Sequence, residues 1–346
     1  MATPKAVIFG CKGYSLTREE RELFAETRPF GLILFARNIE HPLQVMELTA
    51  EFRSCVDRPE APVFVDQEGG RVARLKPPHW HAFPPAAALG RLYAKDRTEG
   101  VAAAKLLGRR LGEMLRPLGI TVNCAPVADL FFKEADDVIG DRALSSDPES
   151  VGILSRAVCD GLMTAGVFPV IKHIPGHGRA DADSHKALPV VTTDAATLKK
   201  TDFAPFAALR TMPFAMTAHV LYRDIDPDNC ASLSKKIISS VIRKQIGFKG
   251  LLLSDDIEMK ALKGKAAGRA RGVVNAGCDL ALYCGHSVSE MAEIAGAIPH
   301  LSVETNLRWQ AARKMLKPAK LYDPKLAHAE FERLMSHLPK DRQHAG

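Results

Sequence analysis

No Cys-x-x-Cys occurs among the seven cysteines, which are scattered at positions 11, 55, 124, 159, 230, 278 and 284. An odd count in largely apolar surroundings gives no disulfide framework and fits buried thiols in a reducing compartment, so a cytoplasmic location is expected. No stretch approaches the roughly 20 apolar residues that span a bilayer. The first residues, MATPKAVIFG, lack a basic segment leading into a long apolar run, so no membrane anchor and no secretory leader are expected. Two phosphate-cradling loops are missing as well: no G-x-G-x-x-G opens a helix after the first apolar run, and no G-x-x-x-x-G-K-[ST] occurs. There is no basic tail. The net charge of +7 comes from 47 Lys and Arg mixed with 40 Asp and Glu along the whole chain, which argues against a nucleic-acid partner. The densest basic group, Lys260, Lys263, Lys265, Arg269 and Arg271, reads as the solvated side of a helix, with attraction of an anionic substrate as the second reading.

What is present is an alternation. Short apolar runs stand at 5–9 (KAVIF), 31–35 (GLILF), 62–65 (PVFV), 120–124 (ITVNC), 168–171 (FPVI), 213–217 (PFAMT), 250–253 (GLLL) and 278–283 (CDLALY). Runs apolar on both faces belong in parallel sheets covered by helices. Helical patterns lie between them, at 17–27, 42–53, 98–116, 148–165, 202–210, 234–246, 264–276, 287–298, 302–316 and 325–338. Thr17 with Glu20 forms a capping-box signature, Pro42 fits a first helical turn, and Ser234 can cap the helix that follows it. Eight buried strands alternating with helices predict a (β/α)8 TIM barrel. No interdomain linker is evident. The expectation is one catalytic domain over residues 1–346, with 341–346 a frayed tail and the proline-rich 77–85 a rigid loop.

In such a barrel, chemistry sits at the C-terminal ends of the strands. Five of those ends are polar here: Asp66-Gln67-Glu68-Gly69-Gly70-Arg71, the approach to Asp129, Lys172-His173, Ala218-His219 and Ser254-Asp255-Asp256. The loop 172–185 (KHIPGHGRADADSH) holds His173, His177 and His185 with Asp181 and Asp183. It can be read as a metal site, though its spacing matches no H-E-x-x-H or two-histidine, one-carboxylate signature. It can be read as a solvated polar loop. It can also do acid–base work, since a carboxylate two residues from an imidazole can orient it and make it a proton donor suited to neutral pH. Asp255 and Asp256 should point apart in an extended segment. One would face the barrel mouth, and the other would hold Lys172 or a helix N-terminus. The inward aspartate could be a nucleophile, a metal ligand, a general base or a cap. Asp66, Arg74 and Arg142 suit sugar hydroxyls, or form the local ion pairs Asp66–Arg74 and Asp141–Arg142. Trp80 reads as loop packing, Met212, Met216 and Met259 as core or rim filler, and Arg37-Asn38 as a rim brace.

The rim motifs, taken in order, are LILFARN at 32–38, DQEGGRV at 66–72, FPPAAALG at 83–90, NCAPVAD at 123–129, IGDR at 139–142, KHIPGHG at 172–178 with Asp183-Ser184-His185, MTAHV at 216–220 and GLLLSDDIEM at 250–259. This ordered set resembles glycoside hydrolase family 3, most closely its short, single-domain bacterial β-N-acetylglucosaminidases of the NagZ type, over residues 13–318. The resemblance implies Asp255 as nucleophile and His185 as general acid/base with Asp183 as its partner. It implies that Asp66, Arg74, Arg142, Lys172 and His173 bind a terminal N-acetylglucosamine, with Met259 beside that subsite and Asp256 in support. The implied substrate is N-acetylglucosamine β-1,4-linked to 1,6-anhydro-N-acetylmuramic acid, with or without peptide, in recycling of the cell wall. No cofactor, metal or protein partner is implied. Ile174, Arg179-Ala180, Asn229-Cys230 and Glu258 depart from the common pattern without removing a proposed catalytic group. Rival readings are another β-glycosidase of the family, an N-acetylglucosamine phosphorylase on the same fold, and a binding module without turnover.

Overall fold

The computed structural model describes residues 3–316 and 324–338, so the tail expected at 341–346 lies outside the described residues. Eight strands, all pairing in parallel with their chain neighbours, close into a barrel: β1 (Lys5–Phe9), β2 (Pro29–Leu34), β3 (Val63–Val65), β4 (Val122–Asn123), β5 (Phe168–Ile174), β6 (Phe214–Thr217), β7 (Leu251–Asp256) and β8 (Leu280–Tyr283). The fold is the (β/α)8 barrel that the alternation predicts. Around it lie α1 (Arg18–Thr27), α2 (Pro42–Cys55), α3 (Ala86–Lys95), α4 (Arg97–Leu115), α5 (Pro148–Thr164), α6 (Ala195–Lys200), α7 (Ala204–Ala208), α8 (Ala266–Ala276), α9 (Val288–Ala297), α10 (Val303–Met315) and α11 (Pro324–Ser336). No described helix is long and apolar enough to cross a membrane.

The local signals act as expected. Thr17 and Glu20 close a capping box on α1, and Pro42 opens α2. The Ser234 hydroxyl accepts from the Ile237 amide at 3.0 Å. It starts a segment, Ile237–Ile246, that is wound as a π-helix rather than the α-helix expected at 234–246. The helix expected at 202–210 is the shorter α7, and α6, which precedes it, was not expected. The helix α3 was not expected at all. The basic group 260–271 straddles a turn and the start of α8 instead of lying along one helix; Arg269 donates to the carbonyls of Ile257 and Glu258.

Side chains alternate across each strand. Ala6, Ile8, Phe64, Val122, Cys124, Phe168, Val170, Phe214, Met216, Leu251, Leu253, Leu280 and Leu282 fill the barrel, while Val7, Phe9, Val63, Val65, Ile171, Ala215, Leu252 and Ala281 pack outward under the helices. Trp309 of α10 plugs the far end, with its ring 5.2 Å from Phe30 and 5.7 Å from Phe168. The same parity selects the functional side chains. Counting on by twos from Phe64 gives Asp66, from Phe168 and Val170 gives Lys172, and from Leu251 and Leu253 gives Asp255. Each inward row is apolar below and charged at the mouth.

Candidate active site

The mouth is lined by Asp66, Glu68, Arg74, Arg142, Lys172, His173, His177, Ser184, His185, Asp255 and Met259, among others, around about 160 Å³ of space. A cavity of about 150 Å³ can hold one benzene. The cleft is therefore sized for a single ring.

One wall is a rigid charge cluster. Lys172 Nζ lies 2.8 Å from Asp66 Oδ1 and 2.7 Å from Glu68 Oε1. Arg74 reaches Asp66 Oδ2 at 3.2 Å, and Arg142 grips Glu68 with two donors, both at 2.9 Å. The expected Asp66–Arg74 pair is present. The alternative Asp141–Arg142 pair is not: Asp141 binds Arg71 instead, because Arg142 turns inward to Glu68. Gln67 holds this wall together. Its side chain accepts from the Arg74 and Leu75 amides and donates to the Leu75 carbonyl, and its backbone is paired on both sides by the Asn123 amide group. The turn beyond it needs glycine. Gly69 and Gly70 have φ of 107° and 56°, and a Cβ on Gly69 would sit 2.5 Å from the Pro84 carbonyl oxygen. Burial opposes ionisation of Asp66, but Lys172 and Arg74 outweigh it and hold the carboxyl well below its usual range. The same contest, with Lys172 and Arg142 prevailing over burial, pushes Glu68 down to about 2.

A second wall is built on Asp129. It accepts from His173 Nδ1 at 2.7 Å, from the His173 amide and from the His177 amide at 2.6 Å. His177 is buried, and its Nδ1 finds no hydrogen-bond partner among the described residues. Burial, and then the neighbouring His173, push its pKa down to about 4.

Asp255 stands on the floor, 7% exposed, with Oδ1 accepting the Asp256 amide at 2.8 Å. Burial raises its pKa, but His173, His219 and that amide more than offset it, so the carboxyl is held below its ordinary value. Asp256 is raised by burial. Its Oδ1 accepts from the amides of Glu258 and Cys284, both at 3.1 Å, so it splints the loop rather than holding Lys172 or a helix N-terminus as expected. Of the pair, the inward carboxyl is the one whose ionised form its surroundings favour more.

The last element is an exposed loop. Asp183 Oδ1 accepts from the His185 amide and faces His185 Nδ1, both at 2.9 Å, while the His185 side chain is 63% exposed. Burial works against the Asp183 carboxylate, and the His185 amide and ring hold it lowered. Ser184, between them, is buried: its carbonyl accepts from the Ala261 amide at 3.2 Å and its hydroxyl lies 3.4 Å from the Met259 sulfur. The dyad loop is thus docked on the segment that follows β7. Among the described residues no three His, Cys, Asp or Glu side chains converge as a metal site.

Residues 5–317 match the profile described as the glycosyl hydrolase family 3 N terminal domain. The chain belongs to glycosyl hydrolase family 3. Within this family it is 36% identical over 305 residues to a β-hexosaminidase of Pseudomonas aeruginosa, covering 87% of this chain and 88% of that one. It is 35% identical over 285 residues to a β-hexosaminidase of Bordetella avium, covering 81% of each. Among solved structures, NagZ from Neisseria gonorrhoeae in complex with N-trifluoroacetyl-D-glucosamine superposes with a TM-score of 0.84 at 31% identity over 97% of both chains.

For a family 3 chain, the cleft brings together Asp66, Arg74, Arg142, Lys172, His173, His185, Asp255 and Met259, with Asp183 bonded behind His185. Glu68 and Asp129, noted among the polar strand ends, His177, noted in the polar loop, and Ser184, noted only within a motif, were assigned no role of their own from the sequence. The two-residue rhythm of β3, which puts Glu68 on the same side as Asp66, was the signal available for Glu68. Arg37 and Asn38 brace the rim as expected, through the carbonyls of Cys11, Gly13 and Cys284. Trp80 packs against the core.

Proposed function

We propose that this β-N-acetylglucosaminidase removes one terminal β-linked N-acetylglucosamine by double displacement, with Asp255 as nucleophile and His185 as acid/base. The Asp255 carboxylate attacks the anomeric carbon as the glycosidic C–O bond breaks. His185 gives its proton to the departing oxygen, and Asp183 keeps the ring oriented and supports its charge. A covalent glycosyl-enzyme results. The same imidazole then takes a proton from water, the water oxygen bonds to the anomeric carbon, and Asp255 leaves as carboxylate, so configuration is retained. Asp66, Arg74, Arg142, Lys172 and His173 hold the ring hydroxyls, and Met259 flanks them. An aspartate–histidine pair in place of the usual second carboxylate suits a loop open to solvent. The substrate is N-acetylglucosamine linked to 1,6-anhydro-N-acetylmuramic acid, with or without its peptide; the one-ring cleft supports release from the chain end.

The observation that carries this reading is an ionised inward aspartate at the tip of β7 sharing one cleft with an Asp–His pair. A 2-fluoro sugar should become attached to Asp255, and Asp255→Ala should release no sugar from the anhydro-disaccharide. Attachment to any other residue would end the assignment. Adding phosphate separates the phosphorylase reading, which requires a sugar 1-phosphate product.

A further inference from the structure

His219 follows β6 on the face turned away from the barrel lumen, since Phe214 and Met216 point inward and Thr217 and His219 alternate with them. It is fully buried and does not belong to the lining of the cleft. Its ring nevertheless spans two functional elements. Nε2 lies 3.0 Å from the carbonyl oxygen of Asp256, and Nδ1 lies 2.7 Å from the Ser232 hydroxyl. A carbonyl only accepts, so Nε2 carries a hydrogen. Burial pushes the ring's pKa down, so the imidazole is neutral and Nδ1 is bare. The Ser232 hydroxyl must then donate to it, and Ser232 in turn accepts from Thr217, 2.7 Å away. The Ala218 carbonyl, 3.0 Å from the Ser232 hydroxyl, is a second acceptor that its one hydrogen serves only if His219 gains a proton.

The bond from Nε2 closes a clamp. The peptide unit between Asp256 and Ile257 has its N–H on the Leu282 carbonyl at 2.9 Å and its C=O on His219. The preceding N–H, of Asp256, is the one that holds Asp255 Oδ1. The Asp256 side chain ties down the next turn through Glu258 and Cys284. Without His219, the Asp256 carbonyl keeps only the amide of Met259, three residues on at 3.1 Å, and the segment that aims the nucleophile loses its side-chain tie to the β6 side, with Leu282 and Arg269 left to hold it.

We infer that His219 is a positioning residue, whose Nε2–H, oriented by Ser232 and Thr217, fixes the peptide between Asp256 and Ile257, and through it the Asp256 amide that holds Asp255, and so the line of nucleophilic attack. This rests on the assignment of Asp255 as nucleophile. A misplacement of about 1 Å can cost on the order of 100-fold in rate, while ground-state sugar binding, made by the separate charge cluster, is untouched.

Two substitutions dissect the ring. His219→Gln places an amide N–H near the Nε2 position and keeps the bond to Asp256; His219→Asn places it near Nδ1 and loses that bond. With a nitrophenyl N-acetylglucosaminide, His219→Asn should lose about 10- to 100-fold in kcat at unchanged KM, and His219→Gln should recover most of it. Nitrogen-15 NMR of histidine-labelled enzyme should find the His219 proton on Nε2. Equal kcat in the two variants, a loss confined to KM, or a proton on Nδ1 would overturn the inference. If His219→Asn does not fold by circular dichroism, Ser232→Ala tests the same clamp with the ring in place; a several-fold fall in kcat supports it, and wild-type kcat overturns it. Labelling by a 2-fluoro sugar keeps the two claims apart. A label away from Asp255 sinks the nucleophile and leaves the tautomer standing, whereas a label on Asp255 with no difference between the variants sinks only the positioning role.

Discussion

The charged wall and the Asp183–His185 loop line the same cleft but are built by opposite means. Lys172 and Glu68 are buried and Asp66 is half-buried on strand ends, and each charge has two or more fixed partners. His185 hangs on a loop, largely in solvent, with the neighbouring Asp183 as its organiser. Recognition of a ring needs fixed geometry, and a paired, desolvated cluster supplies it without reorganisation. Proton transfer to a leaving group and then from water needs access, which burial would deny. The difference teaches that stability and chemistry are separable here: the wall should matter to both, and the loop to chemistry alone.

The largest test of that separation is Lys172→Met. It leaves two buried carboxylates sharing less positive charge, so we expect a loss of about 3–5 kcal/mol in urea unfolding together with near-complete loss of activity. Unchanged stability would break the contrast from one side. His185→Ala attacks it from the other. It should leave stability within about 0.5 kcal/mol, yet lower turnover of substrates with poor leaving groups by about 10²- to 10⁴-fold. Activated leaving groups should be much less affected in the first step, and a stability loss comparable to that of Lys172→Met would erase the distinction.

A smaller effect with a defined pH signature comes from Glu68→Gln. The Glu68 carboxyl, ordinarily near 4.5, is lowered to about 2 in the folded chain, so its contribution to stability is complete above 4.5 and disappears as the pH falls toward 2. The stability deficit of the variant should be full, about 2–3 kcal/mol, at pH 7 and shrink below pH 4.5. A deficit independent of pH would assign it to packing instead. The smallest change is Ser184→Ala. Sulfur is a weak acceptor, so removing the hydroxyl from Met259 should cost less than about 1 kcal/mol and slow turnover only a few-fold. A large loss would make the loop's docking as rigid as the wall.

Much of this arrangement was legible in the residues alone, for physical reasons. A strand buried on both faces must be apolar throughout, so runs such as GLLL announce themselves and their polar ends stand out as rim positions. β7 still ran to Asp256, beyond the expected 253, because its charged tip carries no apolar signal. α3 escaped although Ala88, Leu89, Leu92 and Tyr93 share one buried face, because the prolines just before it read as the end of a rigid loop. The choice between Asp255 and Asp256 was open by spacing, and only the inward register of Leu251 and Leu253 decided it. The roles of Glu68 and Asp129 were hidden for another reason. Their partners, Arg142 and His173, are far off in sequence, and such pairs exist only once the barrel has closed.

The backbone link from Ala261 to Ser184 joins the strap that carries His185, the proposed acid, to the segment that carries Asp255, the proposed nucleophile. Letting the spent sugar out by swinging that strap would unfasten the link and withdraw the proton donor in one stroke. An open mouth would then be a disarmed one, like a trigger that engages only with the breech shut, and water entering between turnovers would meet half a mechanism.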